Sequence, residues 1–323
     1  VRRGGRRGRG GVGGGWEGGQ VARARRVALK LLCPEGMTEK GLDFVAREAR
    51  AGARLNHPGI IAVLGAGEDG GTRWIAMELV EGGCTLASFL EDARSETELP
   101  EGYYASMAEI IAKIAEAVEA AHQAGVIHRD LKPLNILIAE GDVPKVADFG
   151  LARLVDENSL SQTGDFAGTY YYMSPEQVAA RRMGIDHRTD VFSLGVLMYE
   201  MLTLVRPFEG DTTHQIAHKI MVEDPTDPSE VRSRVPGELA VICGKAMEKN
   251  RDLRYGSMAE LAADLRRHLA NKPILAKPPT LPQRAAKWVK RNPTKSAVAG
   301  VAVVLIFAAV EDHILGQIDD DRT

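Results

Sequence analysis

Hydrophobic and polar positions divide this chain into an early part of short apolar runs and a later part with helical spacing. Val27-Ala28-Leu29-Lys30-Leu31-Leu32 is brief, apolar and soon followed by Pro34, which predicts a buried strand carrying one lysine rather than a helix. From Gly41 to Leu55 the pattern turns helical, with Phe44, Ala51 and Leu55 on one stripe, and Asn56-His57-Pro58-Gly59 ends it. Two further strands are predicted at Ile60 to Leu64 and Trp74 to Val80, the second closed by Glu81-Gly82-Gly83. Beyond them Met107, Ile110, Ile111, Ile114, Val118 and Ala121 recur on one helix face, and Gly125 stops that helix. Val191 to Leu204 is apolar almost all round, the signature of a helix at the centre of a packed layer. Strands gathered early and helices gathered late predict an α+β arrangement of two unequal lobes, joined near Val80 to Thr85, with ligands bound where the lobes meet.

Composition narrows the class. The 323 residues are 44% hydrophobic and 26% charged with a formal net charge of −3, which excludes a disordered chain and a wholly basic nucleic-acid binder. Cys33, Cys84 and Cys243 lie far apart with no C-x-x-C spacing, so neither a zinc site nor a disulfide framework is indicated, and a reducing compartment is expected. Both ends depart from the average. Val1 to Gly19 is mostly Gly and Arg, which cannot bury a core and reads as a tail or a loop whose backbone binds something, with structure expected from about Gln20. Residue 1 is Val with no apolar signal segment after it, so an incomplete copy of a longer reading frame is expected. Toward the other end no acidic residue occurs between Asp264 and Glu311, and Arg284, Lys287, Trp288, Lys290, Arg291 and Lys295 lead into an apolar run from Ser296 to Val310. Basic residues and a tryptophan ahead of such a run fit a membrane-directed segment with its positive side inside. Fifteen residues of helix reach roughly 22 Å, short of a hydrocarbon core of ~30 Å, so a surface-lying remnant stays open as the other reading.

The chemistry concentrates in His128-Arg129-Asp130-Leu131-Lys132-Pro133-Leu134-Asn135, followed by Ile136-Leu137-Ile138 and then Val146-Ala147-Asp148-Phe149-Gly150. Together these resemble the catalytic loop and the Asp-Phe-Gly element of protein kinases, most of all the receptor-like bacterial serine/threonine kinases. The likeness continues in Lys30, which resembles the phosphate-binding lysine, in Glu48 as its ion-pair partner, and in Ser174-Pro175-Glu176, which stands where the family has Ala-Pro-Glu. Read alone, Lys30 is equally a strand-edge charge and Asp148 a turn former before Gly150. Their order and spacing along the chain set those readings aside.

The resemblance implies a two-lobed protein kinase fold, with a small β-rich N-lobe holding one helix and a larger α-helical C-lobe. It implies a domain over 8–270, split at about 80–85, with a Gly/Arg-rich segment at 1–7, a basic linker at 271–295, the apolar segment at 296–310 and a tail at 311–323. ATP and Mg²⁺ are the implied cofactors. Asp130 would accept the proton of the attacking hydroxyl, Lys132 would stabilise the transferred phosphoryl group as in the serine/threonine branch, and Asn135 and Asp148 would hold magnesium. Thr169 would hydrogen-bond the catalytic aspartate and lysine. Ala28 and Leu137 would sandwich the adenine, Met77 would guard the back of its pocket, and Glu78 and Val80 would offer backbone hydrogen bonds. Arg129 resembles the arginine that grips an activation-loop phosphate, His128 is read as structural, Asp190 as the anchor of the catalytic-loop backbone, and Arg254 as the buried partner of Glu176. Thr163, Ser161 and Ser159 are the phosphosite candidates.

The phosphate loop is ambiguous by pattern, since Gly8, Gly10 and Gly13 satisfy G-x-G-x-x-G and so do Gly13, Gly15 and Gly18. Room for a hairpin before Lys30 favours the first set. Two departures from the family stand out: Gly15 where a valine should cover the adenine, and no apolar alternation before Gly8. A scaffold that keeps the fold with an impaired glycine loop is therefore the alternative to an active kinase, and an RNA-touching Arg-Gly tail is the alternative for the first residues. The expected partners are protein substrates, ATP, a second kinase copy for autophosphorylation and a membrane at the C-terminal segment, with the kinase domain cytoplasmic and no specific nucleic acid.

Overall fold

A computed structural model describes residues 2–10, 13–20, 25–32, 55–70, 72–149, 170–179 and 184–278, with 289, 296 and 301 singly. The predicted helix over 41–55, Glu48, Thr169 and the three phosphosite candidates lie outside the described residues, apart from Leu55. Residues Val1–Ala276 form one compact unit and Lys277–Thr323 a second.

The first unit opens with a five-stranded antiparallel sheet in the order β1-β2-β3-β5-β4. Its strands are β1 (Arg2–Gly10), β2 (Gly13–Gln20), β3 (Arg25–Leu32), β4 (Val63–Asp69) and β5 (Thr72–Glu78). In β3, period-two alternation buries Val27 and Leu29 on one face, where Ala76 joins them, and leaves Ala28 and Lys30 on the other. Gly67 sits opposite Trp74, and a Cβ there would lie 2.6 Å from the indole, so the strand keeps a glycine to let the ring lie across it.

Two expectations change here. The Gly/Arg segment, read as a tail or a binding loop with structure from about Gln20 and a hairpin expected only from Gly8, forms β1 and β2 from Arg2 onward. Its pairing rests on main-chain hydrogen bonds and needs no side-chain alternation. The strand expected at Ile60 to Leu64 starts later, at Val63, because Ile60 and Ile61 are pulled away: Ile60 bridges Val146 in parallel, and the Ile61 N–H donates to the Val146 carbonyl at 2.9 Å.

A second sheet, β6-β7-β8, comprises β6 (Cys84–Thr85), β7 (Ile136–Ala139) and β8 (Val143–Val146). The helices are α1 (Leu86–Ser95), α2 (Tyr103–Gln123), α3 (Pro175–Val178), α4 (Arg188–Thr203), α5 (Thr213–Val222), α6 (Pro228–Val231), α7 (Gly237–Ala246) and α8 (Met258–Leu269). Helix α4 is buried from Thr189 to Thr203, as its all-round apolarity requires, and it forms the centre of the helical core. Gly195 lets α7 approach it closely, since a Cβ there would meet Ala246 Cβ and Met247 Cγ at 2.9 Å each. The unit runs past the expected boundary at 270. Buried Asp264 accepts hydrogen bonds from Leu275 N (2.6 Å), Ala276 N (2.9 Å) and the Tyr255 hydroxyl (2.9 Å), tying the following segment down. Among the described residues no helix is long and apolar enough to cross a membrane, and most of 296–310 lies outside them.

Candidate active site

Helix α2 ends at Gly125, whose φ of 77° turns the chain into the loop that carries the acidic motif. That loop is held from beneath by Asp190, in the first turn of α4 and fully buried. Asp190 Oδ2 accepts from the backbone N–H of His128 (2.8 Å) and from His122 Nε2 (2.7 Å), and Oδ1 accepts from Arg129 N (2.7 Å). Arg129 adopts a φ of 66°, a left-handed conformation that costs an L-residue about 1–2 kcal/mol and that these bonds hold in place.

The His128 ring lies inside, tilted over Phe149 at 4.7 Å between centroids. Its Nδ1 accepts from Asp130 N at 3.2 Å, so the proton sits on Nε2 and is donated to the Ala147 carbonyl at 2.8 Å. One imidazole therefore joins the backbone before Asp130 to the backbone before Asp148.

Asp130, Lys132 and Asn135 come together. Lys132 Nζ lies 2.8 Å from Asp130 Oδ2, and Asn135 Nδ2 donates to the same oxygen at 3.0 Å and to the Asp130 carbonyl at 2.8 Å. With its amide nitrogen committed to Asp130, Asn135 has Oδ1 left as the atom able to meet a cation. Across from this cluster Lys30 Nζ, reaching from β3, lies 2.7 Å from Asp148 Oδ2. Asp148 has a φ of 62°. Burial works to raise its pKa, but the Lys30 ammonium and its hydrogen bond prevail, helped by Lys132, and hold the carboxyl below the ordinary carboxylate value. It stays ionised at neutral pH.

The remaining predicted positions fall as follows. Gly10 pairs with Gly13 and Gly8 with Gly15, so the favoured glycine set spans the β1–β2 turn whereas Gly13, Gly15 and Gly18 all run along β2. Ala28 on β3 and Leu137 on β7 are both half-buried, as are Met77 and Val80. The Glu78 N–H donates to the Ala62 carbonyl at 2.9 Å, so a backbone hydrogen bond from Glu78 to a ligand can use only its carbonyl. The Glu78 side chain, which sequence reasoning left without a part, forms an ion pair with Lys145 of β8 at 2.8 Å and so joins the two sheets. Alternation in β8 was the available signal: Pro144 and Val146 are buried and Lys145 faces the other way.

Arg254 and Glu176 form a bidentate pair at 2.6 and 2.8 Å, with Arg254 also donating to the carbonyls of Glu248 and Arg188. The Arg129 carbonyl accepts from Gln177 Nε2 at 2.7 Å, which fastens α3 to the catalytic loop. His122 was missed because a histidine among the apolar positions of α2 gives no hint that Asp190 faces it.

A lysine from a small antiparallel sheet paired to an aspartate beyond β8, beside an aspartate, lysine and asparagine on an anchored loop, defines a two-lobed kinase domain. The family described as protein kinase domain matches residues 2–266, and the chain belongs to that family. The curated relatives it resembles are bacterial serine/threonine kinases. It is 41% identical over 248 residues to the serine/threonine-protein kinase PknB of Mycolicibacterium smegmatis, covering 75% of this chain and 38% of that protein. With PknB of Mycobacterium leprae it shares 40% over 255 residues, 77% of this chain and 40% of the relative. The crystal structure of the Mycobacterium tuberculosis PknI kinase domain superimposes with a TM-score of 0.63 at 26% identity, covering 81% of this chain and 93% of that one. The chain thus spans about two fifths of the length of these curated relatives.

Proposed function

We propose that this chain is an ATP- and Mg²⁺-dependent kinase that transfers the terminal phosphoryl group to serine and threonine hydroxyls of proteins, itself included. The observation that carries the reading is the convergence of Lys30, Asp148, Asp130, Lys132 and Asn135 from β3, the catalytic loop and the segment after β8. The donor set fits the cofactors. Asp148 and Asn135 offer one carboxylate and one amide oxygen, hard ligands suited to Mg²⁺, which takes its remaining donors from phosphates and water. When bound, the metal neutralises charge between the phosphates. Lys30 compensates phosphate charge and is itself positioned by Asp148. Asp130 orients the acceptor hydroxyl and receives its proton, while Lys132 stands over the same oxygen to steady the moving phosphoryl group.

The finer assignments rest on sequence and family: the glycines 8, 10 and 13 over the phosphates, Glu48 as partner of Lys30, Thr169 beside Asp130, Thr163, Ser161 and Ser159 as phosphosites, a second copy of the chain for autophosphorylation, and a cytoplasmic domain directed to a membrane by the basic and apolar stretch after 280. The test is purified chain with Mg²⁺ and γ-labelled ATP on a protein substrate, followed by phosphoamino-acid analysis. Label on serine and threonine, lost in Asp130→Asn, is expected. Transfer absent from the parent, or equal in parent and variant, sinks the reading.

A further inference from the structure

The peptide unit that joins Arg129 to Asp130 is planar, so its carbonyl and its N–H lie on opposite edges of one rigid plate. Both edges are held by side chains. The Asp130 N–H donates to His128 Nδ1 at 3.2 Å, and the Arg129 carbonyl accepts from Gln177 Nε2 at 2.7 Å. Turning the plate changes ψ of Arg129 and φ of Asp130 together, and with them the direction of the Asp130 carboxylate. His128 belongs to the loop itself, but Gln177 comes from α3, 48 residues further along the chain.

Gln177 reaches that edge with the one part of its amide that its own helix does not use. Its Oε1 accepts from the Ser174 N–H at 3.0 Å while its backbone N–H donates to Ser174 Oγ at 3.3 Å, the reciprocal capping box that starts α3. The NH₂ group is left to face the loop. A glutamate closes the same box equally well, but as a carboxylate it has no proton to give the Arg129 carbonyl. Only the amide serves both ends. The support behind it is firm, because Ser174 Oγ lies 2.6 Å from Thr189 Oγ1 of α4 and Glu176 is held by both terminal nitrogens of Arg254. Thr189 precedes Asp190, which accepts from the Arg129 N–H at 2.7 Å, so a closed ring of bonds runs from Arg129 through α4 and α3 back to Arg129.

Resting on the kinase reading, we propose that Gln177 is a positioning residue that sets the aim of Asp130 through the Arg129 carbonyl, and that the reaction requires its amide rather than its place in the cap. Arg129 is held at a φ of 66°, so a plate released on one edge has a lower-energy conformation to move to. A displacement of about 1 Å at a reacting group costs up to about a hundredfold in rate. The pairing of Lys30 with Asp148 at 2.7 Å does not pass through Gln177, so turnover and not ATP binding carries the effect.

Two variants separate the two jobs of the side chain. Gln177→Glu keeps the acceptor for the Ser174 N–H and loses the donor, whereas Gln177→Met keeps the length and loses both. In steady-state kinetics on a protein substrate, kcat should fall about tenfold in each, the worth of one hydrogen bond, with KM for ATP within about twofold of the parent. In thermal melts Gln177→Met should lie about 2–4 °C below Gln177→Glu, which keeps the cap. Amide exchange at Asp130 should quicken relative to Asn135 in both variants, a readout independent of turnover. Gln177→Glu turning over within about twofold of the parent, a fall in kcat confined to Gln177→Met, or unchanged relative protection at Asp130 overturns the inference and leaves the kinase reading standing. No transfer by the parent, matched by Asp130→Asn, removes the kinase reading and this inference with it.

Discussion

Replacing Asp190 by asparagine changes one oxygen to an amino group and leaves size and shape nearly intact. The carboxylate accepts from His128 N, Arg129 N and His122 Nε2 at 2.7 to 2.8 Å, and it is fully buried. An asparagine oxygen can still serve one side, but its NH₂ must then face a donor that it cannot satisfy. Charge-assisted bonds contribute about 1.5–3 kcal/mol each and a stranded buried donor costs a similar amount, so a loss of about 3 kcal/mol is expected. For a domain of this size that lowers Tm by roughly 6–10 °C, readable by calorimetry. The catalytic effect should be separable. Without the bonds to 128 and 129, Arg129 can leave its φ of 66° and take Asp130 with it. Because Lys30 and Ala28 stand on β3, kcat should fall more than tenfold while KM for ATP moves less than about threefold. His122→Gln keeps two of the three donors and should show a smaller version of both effects. An Asp190→Asn protein melting within 2 °C of the parent and turning over within about twofold of it would falsify this account of the loop.

Two further perturbations probe other parts of the domain. Lys249 Nζ is buried with no hydrogen-bond partner among the described residues, 3.9 Å above the Phe208 ring and close to Arg254, and burial pushes its pKa down from 10.5 to about 7. Below pH 7 both folded and unfolded chains hold the proton and the full cost of the buried charge is felt. Between 7 and 10.5 the unfolded chain binds more protons, so stability rises with pH. Lys249→Met should therefore stabilise more at pH 6 than at pH 9, by about 3 kcal/mol, and an equal gain at both values in thermal melts would contradict the assignment. Lys145→Met removes the ion pair to Glu78, whose other oxygen accepts from Ala62 N at 3.4 Å. Partial exposure limits the stability loss to about 1 kcal/mol or less, but amide exchange at Ala62 should quicken in the variant; unchanged protection there would show that the pair does not hold the two sheets together.

Much of the candidate site is legible along the chain because its parts are local. The buried strand around Lys30 follows from a short apolar run, the central helix α4 from apolarity on every side, and the chemistry from residue types at fixed short spacings between Asp130 and Asp148. Where backbone does the work, side-chain pattern is silent, and the pairing of β1 with β2 is the clearest case: glycine and arginine carry no period, yet main-chain groups form the ladder. Ile60 and Ile61 read as strand for their apolarity and are diverted to β8 by a partner 85 and more residues away in the chain.

What the sequence by itself determined is which segments bury one face and which residue types could handle phosphate, metal and proton, because burial and turn chemistry act over a few residues. Only the tertiary structure decided that Asp190 meets His122 and the catalytic-loop amides, that Glu78 meets Lys145, and that Leu134 is left in water. Each of these joins groups far apart in the chain, or leaves one unjoined, and that depends on how whole elements pack, which no local pattern of residues encodes.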